Sequence, residues 1–459
     1  MRDPLNLYSE AMLSQQEILE ELNEFLRIPS ISTDPDRSGD VRRAAEFVRD
    51  KIRACGLDNA RLIEGSGHPL VYAEWLCAPG KPTLLLYGHY DVQPPDPLDE
   101  WESPPFEPEV RHGNIYARGA ADDKGQVLIL IKAIQALMDH DGSLPVNVRF
   151  LIEGEEEVGG EHVASYVEEH PDRLKADAAI ICDTEMFAPD LPTLCVGLRG
   201  IVYGEIHVEG ANHDLHSGVY GGAVPNPIQA VAEIICALKD RDGRIRIPGF
   251  YDRVKPPSAE ERAAWDRLPF NEQEYREKEV GVRELTGEPD VPLFERVWAR
   301  PTFEVHGIRG GFTGEGAKTV IPARAVAKVS ARLVADQDPD QAVRQIAEAV
   351  RAAAPKGVTA EFKAIHCAAP SLVDPLNPYV RFSAEAMGEV FGKKTVYIRS
   401  GGSIPIVGVF QQHLGIPSVM MGFGLPDDNL HAPNEKFCLA NLYRGIDAVV
   451  RYLELLGTK

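Results

Sequence analysis

Cysteine is scarce in this chain and never clustered. Seven stand singly at positions 55, 77, 182, 195, 236, 367 and 438, and no two share a Cys-x-x-Cys spacing. That excludes a thiolate zinc site, and an odd, dispersed set offers no disulfide framework. Reduced, mostly buried thiols in a cytoplasmic protein are expected. Long apolar runs are missing too: none approaches the roughly 20 residues that a bilayer-spanning helix requires. The stretch Met1-Arg2-Asp3-Pro4 has no basic region followed by an apolar one, so no secretory signal is expected. Basic residues are outnumbered, 48 Lys and Arg against 70 Asp and Glu, for a net charge of −22. Counterion release on a phosphate backbone needs clustered Lys and Arg, so no nucleic-acid partner is expected, and no membrane partner either. The acidic excess reads first as solubility. Internal repeats and low-complexity segments are absent.

What is present describes a folded chain of two domains. A length of 459 residues exceeds one ordinary core. Hydrophobic residues at 44% and charged ones at 26% fit the globular class. Ile18, Leu19, Leu22, Phe25 and Leu26 share one face of a helix predicted over 15–28. A second helix, over 41–55, stops at Gly56. Alternating strands and helices up to about 198 predict an α/β fold, a mostly parallel sheet flanked by helices. Residues 201–208 then alternate apolar and polar, as in a sheet with one wet face. A helix over 227–238 follows, then a charged stretch over 248–301 with few core signals. A strand over 326–333, a helix over 339–353 and a strand over 358–365 come next. These strand-helix-strand units predict a small α+β domain at 199–373, inserted between the 1–198 and 374–459 parts of the α/β domain. Three prolines in 370–378 mark the return, and helices from 379 and over 434–456 complete it.

Five places that read as strand ends or the loops beside them offer a His, Asp or Glu. The run 83–87 breaks at Gly88 and presents His89 and Asp91. The loop Arg118-Gly119-Ala120-Ala121-Asp122-Asp123-Lys124-Gly125 supplies Asp122. The run 146–152 ends in Glu155-Glu156-Glu157, 178–182 ends at Asp183, and 416–421 leads to His431. Ligands in open α/β sheets bind at the carboxyl ends of strands, so these side chains can converge. Imidazole with carboxylate and no thiolate suits a hydrolytic zinc or manganese centre. His89 and Asp91 point the same way from extended backbone, and the carboxylate can fix the imidazole tautomer. Asp122 reads equally as a helix N-cap or as a ligand bridging two cations, which in paired sites lie roughly 3.5–4 Å apart. The triple glutamate would ordinarily be a solvated acidic turn. At a strand's carboxyl end, one glutamate can bind metal while its neighbour serves as general base, a role typically worth about 10²–10⁴-fold.

Two other motifs mislead. Gly314-Glu315-Gly316-Ala317-Lys318-Thr319 has an Ala between Gly and Lys, unlike a phosphate loop. Ser400-Gly401-Gly402-Ser403 lacks the Gly-x-Ser-x-Gly spacing of a nucleophile elbow, which argues against a serine hydrolase.

Gly88-His89-Tyr90-Asp91-Val92-Gln93-Pro94, the Arg118 to Gly125 loop and Glu156-Glu157-Val158-Gly159 resemble the two-metal peptidase family of carnosinase, glutamate carboxypeptidase, aminoacylase and succinyl-diaminopimelate desuccinylase. Asp214-Leu215-His216-Ser217-Gly218-Val219-Tyr220-Gly221-Gly222 and Gly316-Ala317-Lys318-Thr319-Val320-Ile321-Pro322 resemble its carnosinase and cysteinylglycine-dipeptidase branch. The resemblance runs from about residue 15 to the C-terminus. It implies metallodipeptidase activity with two divalent cations, zinc or manganese in its place. His89 and Asp183 would hold one cation, Glu157 and His431 the other, and Asp122 both. Asp91 would orient His89, and Glu156 would be the general acid/base. His216 would reach a partner subunit's site in a homodimer and steady the oxyanion there. Thr319, Arg332, His366 and Ser403 would line a small-peptide site, where Arg can grip a terminal carboxylate bidentately. Some relatives carry an acidic residue where this chain has Ser400. An N-acylated amino acid or blocked peptide is therefore an alternative substrate, and a homologue that binds without hydrolysing is the non-enzymatic alternative.

Overall fold

Short apolar runs bounded by turn residues build the sheet that organises the metal-binding part of the chain. A computed structural model describes residues 13–458. The strand order is Arg61–Ile63, Leu70–Trp75, Asn147–Glu153, Thr83–His89, Ala178–Ile181, Ser418–Met420, Thr193–Leu198, Ser371–Leu372, with Val396–Ser400 also pairing with Thr193–Leu198. The middle four strands pair in parallel. Their flanks are antiparallel, so the α/β sheet is mixed, with its parallel run at the centre. The helix Lys124–Asp141 crosses this sheet buried along most of its length and ends on left-handed Gly142. The helix Gln15–Leu26 buries Ile18, Leu22, Phe25 and Leu26, the face that its sequence period marks.

Two compact units emerge. One takes the chain up to Val196, Val373–Ile398 and everything from Pro405; the other takes Gly197–Leu372 and Arg399–Ile404. The short second segment lies inside the part that the sequence reading assigned to 374–459. Within the second unit, a four-stranded antiparallel sheet runs in the order Thr302–Gly310, Arg324–Leu333, Gly200–Glu209, Thr359–Ala368. Helices Pro227–Leu238 and Pro339–Ala353 bury Val231, Ile234, Ile346 and Val350 with Val202, Ile206 and Val208 of the sheet.

Three sequence expectations need correction, and one element was not expected. The strand from Thr83 runs through Gly88 to His89 without a break. A side chain at 88 would meet Val127 Cγ2 at 2.6 Å and Asp123 Oδ2 at 2.7 Å, so glycine there serves close packing against the helix. The final helix starts at Leu439, not at 434, because Lys436–Cys438 pairs as a strand with Asn114–Tyr116. The stretch 248–301 does contain core. Helices Ala259–Trp265 and Leu293–Trp298 bring Trp265 and Phe294 onto Trp298, at ring separations of 5.2 and 4.3 Å. Finally, the strand Thr302–Gly310 was not foreseen. It is an edge strand exposed along most of its length, so no period-two burial marks it. No helix among the described residues is long and apolar enough to cross a membrane.

Candidate metal centre

Parallel pairing sends the carboxyl ends of neighbouring strands to one edge of the sheet, and the site forms there. In register, His89 stands opposite Glu153 and Tyr87 opposite Ile181. The residues that follow these strands therefore emerge side by side: Glu156 and Glu157, then Asp91, then Asp183. Asp122 comes from the loop before the Lys124–Asp141 helix. It is Asp123 that occupies the N-cap position, without a capping hydrogen bond from its side chain. The cap alternative for Asp122 thus fails, and its carboxylate is turned toward two histidines.

Two donor triads result, His89–Asp122–Asp183 and Asp122–Glu157–His431, with the ligand atoms of each within 4.8 Å of one another. His89 Nε2 lies 3.1 Å from Asp122 Oδ1 and 3.9 Å from Asp183 Oδ2. His431 Nε2 lies 2.9 Å from Asp122 Oδ2 and 3.5 Å from Glu157 Oε2. On the far side of the His89 ring, Nδ1 is 3.1 Å from the Asp91 carbonyl and 3.3 Å from its carboxylate. Those acceptors place the ring proton on Nδ1 and leave the Nε2 lone pair facing the other carboxylates. Asp91 also accepts the backbone N–H groups of Glu156 and Glu157. Glu157 receives the Gln93 amide at 2.7 Å, whereas the Glu156 carboxylate has no hydrogen-bond or ion-pair partner among the described residues. His431 is held at φ +61°, a left-handed conformation that non-glycine residues adopt mainly where surroundings enforce it.

The electrostatics are those of crowded negative charge. Burial opposes charge on His89, yet the Asp122 and Asp91 carboxylates outweigh it and hold the imidazole well above its usual range. The hydrogen bond to Asp122 is the main cause of His431 being pushed up to about 9. Burial, reinforced by neighbouring carboxylates, pushes Glu156 up to about 7 and Glu157 and Asp123 up to about 8. It raises Asp183 well above the carboxylate range. Asp122 moves the other way, because His431 and His89 overcome its burial. The buried His89 Nε2 has Asp122 Oδ1 at 3.1 Å but no partner at good hydrogen-bond geometry. A divalent cation can take the place of a proton at that Nε2, because a buried imidazole among several carboxylates is a donor set suited to one.

Sequence reasoning missed Glu435. This fully buried carboxylate accepts Arg118 Nη1 at 2.7 Å, and the N–H groups of Gly119, Ala121 and Asp122 at 2.9, 3.0 and 3.2 Å. Arg118 in turn reaches the Pro94 carbonyl at 3.2 Å. The available signal was Arg118 itself, a charged residue directly before the small run Gly119-Ala120-Ala121.

His216, Thr319, Arg332, His366 and Ser403 lie in the second unit. His216 and Thr319 are neighbours: Leu215–His216 pairs with Val320–Ile321, and the Ser217 N–H donates to the Thr319 carbonyl at 3.1 Å. His216 is exposed, and its Nδ1 accepts the Gly218 N–H at 2.9 Å. Arg332 donates to Ser403 Oγ at 2.9 Å. His366 stands apart from these pairs, on the edge strand opposite Tyr203.

Known proteins share this architecture. Residues 85–455 match the profile of the peptidase family M20/M25/M40. The Cys-Gly metallodipeptidase DUG1 of Candida albicans is 32% identical, over 96% of this chain and 94% of its own. The Beta-Ala-His dipeptidase of Rattus norvegicus is 30% identical, over 94% and 91%. The solved M20 family metallo-carboxypeptidase Sso-CP2 of Sulfolobus solfataricus superposes with a TM-score of 0.87 and 35% identity, over 96% of this chain and 100% of that one.

Proposed function

The chain belongs to the M20/M25/M40 peptidase family and is a metal-dependent peptide hydrolase, and from that premise we propose how its site works. His89, Asp122 and Asp183 hold one divalent cation, and Asp122, Glu157 and His431 hold a second, zinc or manganese in its place. Bound there, the pair supplies Lewis acidity that polarises the scissile carbonyl and makes a water easier to deprotonate. Glu156 takes the proton from the attacking water and delivers it to the leaving amine. Its carboxylate is unpaired while its backbone is fixed by Asp91, which suits a group that must exchange a proton without shifting. Asp91 orients His89. His216 stabilises the oxyanion across a homodimer interface. The Gly218 N–H at Nδ1 leaves the ring proton on Nε2, the nitrogen free to donate.

Dipeptides are the proposed substrates, in line with the names of the yeast and rat relatives. Arg332, supported by Ser403, grips the terminal carboxylate, and Thr319 and His366 are proposed as further substrate contacts on the family resemblance alone. A second reading, hydrolysis of N-acyl amino acids or blocked peptides, is favoured by Ser400. Its neutral hydroxyl accepts the Gly402 N–H at 3.1 Å and supplies no charge for a free substrate amine. A cytoplasmic location belongs to the same proposal, in keeping with seven free cysteines.

The observation that carries the reading is a pair of donor triads sharing Asp122 beside an unpaired glutamate. The test combines elemental analysis with a panel of dipeptides and N-acyl amino acids. About two cations per chain, with turnover lost on chelation and restored by zinc or manganese, supports it. Full cation loading with no hydrolysis across the panel would leave a binding protein and overturn it.

A further inference from the structure

We infer that Glu435 is a positioning residue that assembles the second cation site, Asp122–Glu157–His431, from three distant parts of the chain. The inference rests on the two-cation reading above and adds to it the group that sets the geometry.

All three donors of that triad trace to this one residue, two of them through its carboxylate. Asp122 is tied directly, because Glu435 Oε1 accepts its backbone N–H at 3.2 Å and that of Ala121 at 3.0 Å. Glu157 is tied through a relay. Glu435 Oε2 binds Arg118 Nη1, Arg118 Nη2 donates to the Pro94 carbonyl, and the adjacent Gln93 donates its amide to Glu157 Oε2. His431 is tied by the chain itself, four residues before Glu435. The Ala117 N–H also donates to the Glu435 carbonyl at 3.1 Å, so the loop is held at main chain and side chain alike. The first triad is built differently. His89 is fixed by Asp91 and by Asp123, whose carboxylate accepts the His89 N–H at 3.1 Å. Asp183 follows the strand Ala178–Ile181. Only its shared member, Asp122, depends on Glu435.

The chemistry requires a carboxylate at this place. Four donors converge on its two oxygens, and it is fully buried against Arg118, itself 1% exposed. An amide in its place would point an NH2 group at N–H donors on one side. That would push the loop bearing Asp122 away from the segment bearing His431.

The test titrates Mn²⁺ into chelator-treated full-length chain by calorimetry, well below the unfolding midpoint. Wild type should show two tight cations per chain. Glu435→Gln should weaken the second cation about 10–100-fold, the range for groups that support metal ligands, and the first, which shares only Asp122 with it, by clearly less. Its titration should approach that of His431→Ala, which removes a second-site donor outright. Two wild-type affinities in folded Glu435→Gln would overturn the inference, as would equal loss at both sites, which marks general loosening. Should Glu435→Gln fail to fold, Glu435→Asp decides the matter. It keeps the charge but cannot span both sides of the loop, so selective weakening supports the role and unchanged affinities overturn it. A wild-type chain that binds fewer than two cations would overturn the two-cation reading itself.

Discussion

Glu156 and Glu157 are chemically identical and adjacent, and their different surroundings separate their roles. Glu157 is oriented by Gln93 and faces His431, while Glu156 has a fixed backbone and a carboxylate with no partner among the described residues. Glu156→Gln preserves size and leaves the Asp91 anchor intact, because that anchor grips main chain. Cation content should stay at the wild-type value while kcat falls by about 10²–10⁴-fold, the range for losing a general acid/base. Near-normal turnover in a fully loaded Glu156→Gln enzyme would remove Glu156 from the mechanism. Both glutamates stand in the sequence where a strand-end reading looks for them. Glu435 does not, because its importance lies in four donors that come from residues 118–122.

The helix Lys124–Asp141 links core to site. Its first turn packs against the Asp122 loop at Gly125. A side chain there would meet the Ala120 carbonyl at 2.2 Å and Phe437 Cδ1 at 2.7 Å. Since one of those contacts is backbone, repacking side chains cannot relieve it. Gly125→Ala should destabilise the protein by about 1–3 kcal/mol, the usual range for overpacking. It should also weaken cation binding, because the loop that yields is the one carrying Asp122. A wild-type denaturation midpoint together with wild-type cation affinity would contradict this coupling. At the same scale, helices over 227–238 and 339–353 lie where the sequence placed them. Asn226 and Asp338 cap them, with Pro227 and Pro339 in the first turn, and those signals are local.

Two consequences concern the whole molecule. Cations that bind only the folded chain stabilise it by mass action, each by about 2.7 kcal/mol at a hundred times its dissociation constant. Loading the chelated protein with Zn²⁺ or Mn²⁺ should therefore raise its thermal midpoint by several degrees, since about 2–4 °C accompanies each kcal/mol in units of this size. An unchanged midpoint would argue against tight binding. The second consequence follows from the proposed dimer with His216 shared between subunits. Inactive His216→Ala chains mixed with inactive Glu156→Gln chains should regain activity after subunit exchange. Each hybrid would hold one site with both residues intact, so it should approach half the activity of a normal dimer. A mixture that stays inactive despite proven exchange would place the His216 function within its own chain, or nowhere.

The sequence by itself determined the residue types and their local settings. Carboxylates and histidines follow apolar runs, helical periods carry their own caps, and no Cys-x-x-Cys pair is present. Those features act over a few residues and can be read from a few residues. Other features were decided only when distant segments met. Gly88 reads locally as a strand break, yet the strand continues because a helix packs against the bare backbone there. Residues 436–438 read as helix, yet their backbone pairs with Asn114–Tyr116. Asp122 was poised between cap and ligand until His89 and His431 arrived on either side. In each case a hydrogen bond or a close contact from hundreds of residues or tens of residues away outweighs a local preference worth at most about 1 kcal/mol per residue. Parallel strand pairing is itself such a long-range choice, and it is what gathers the scattered donors at one edge of the sheet.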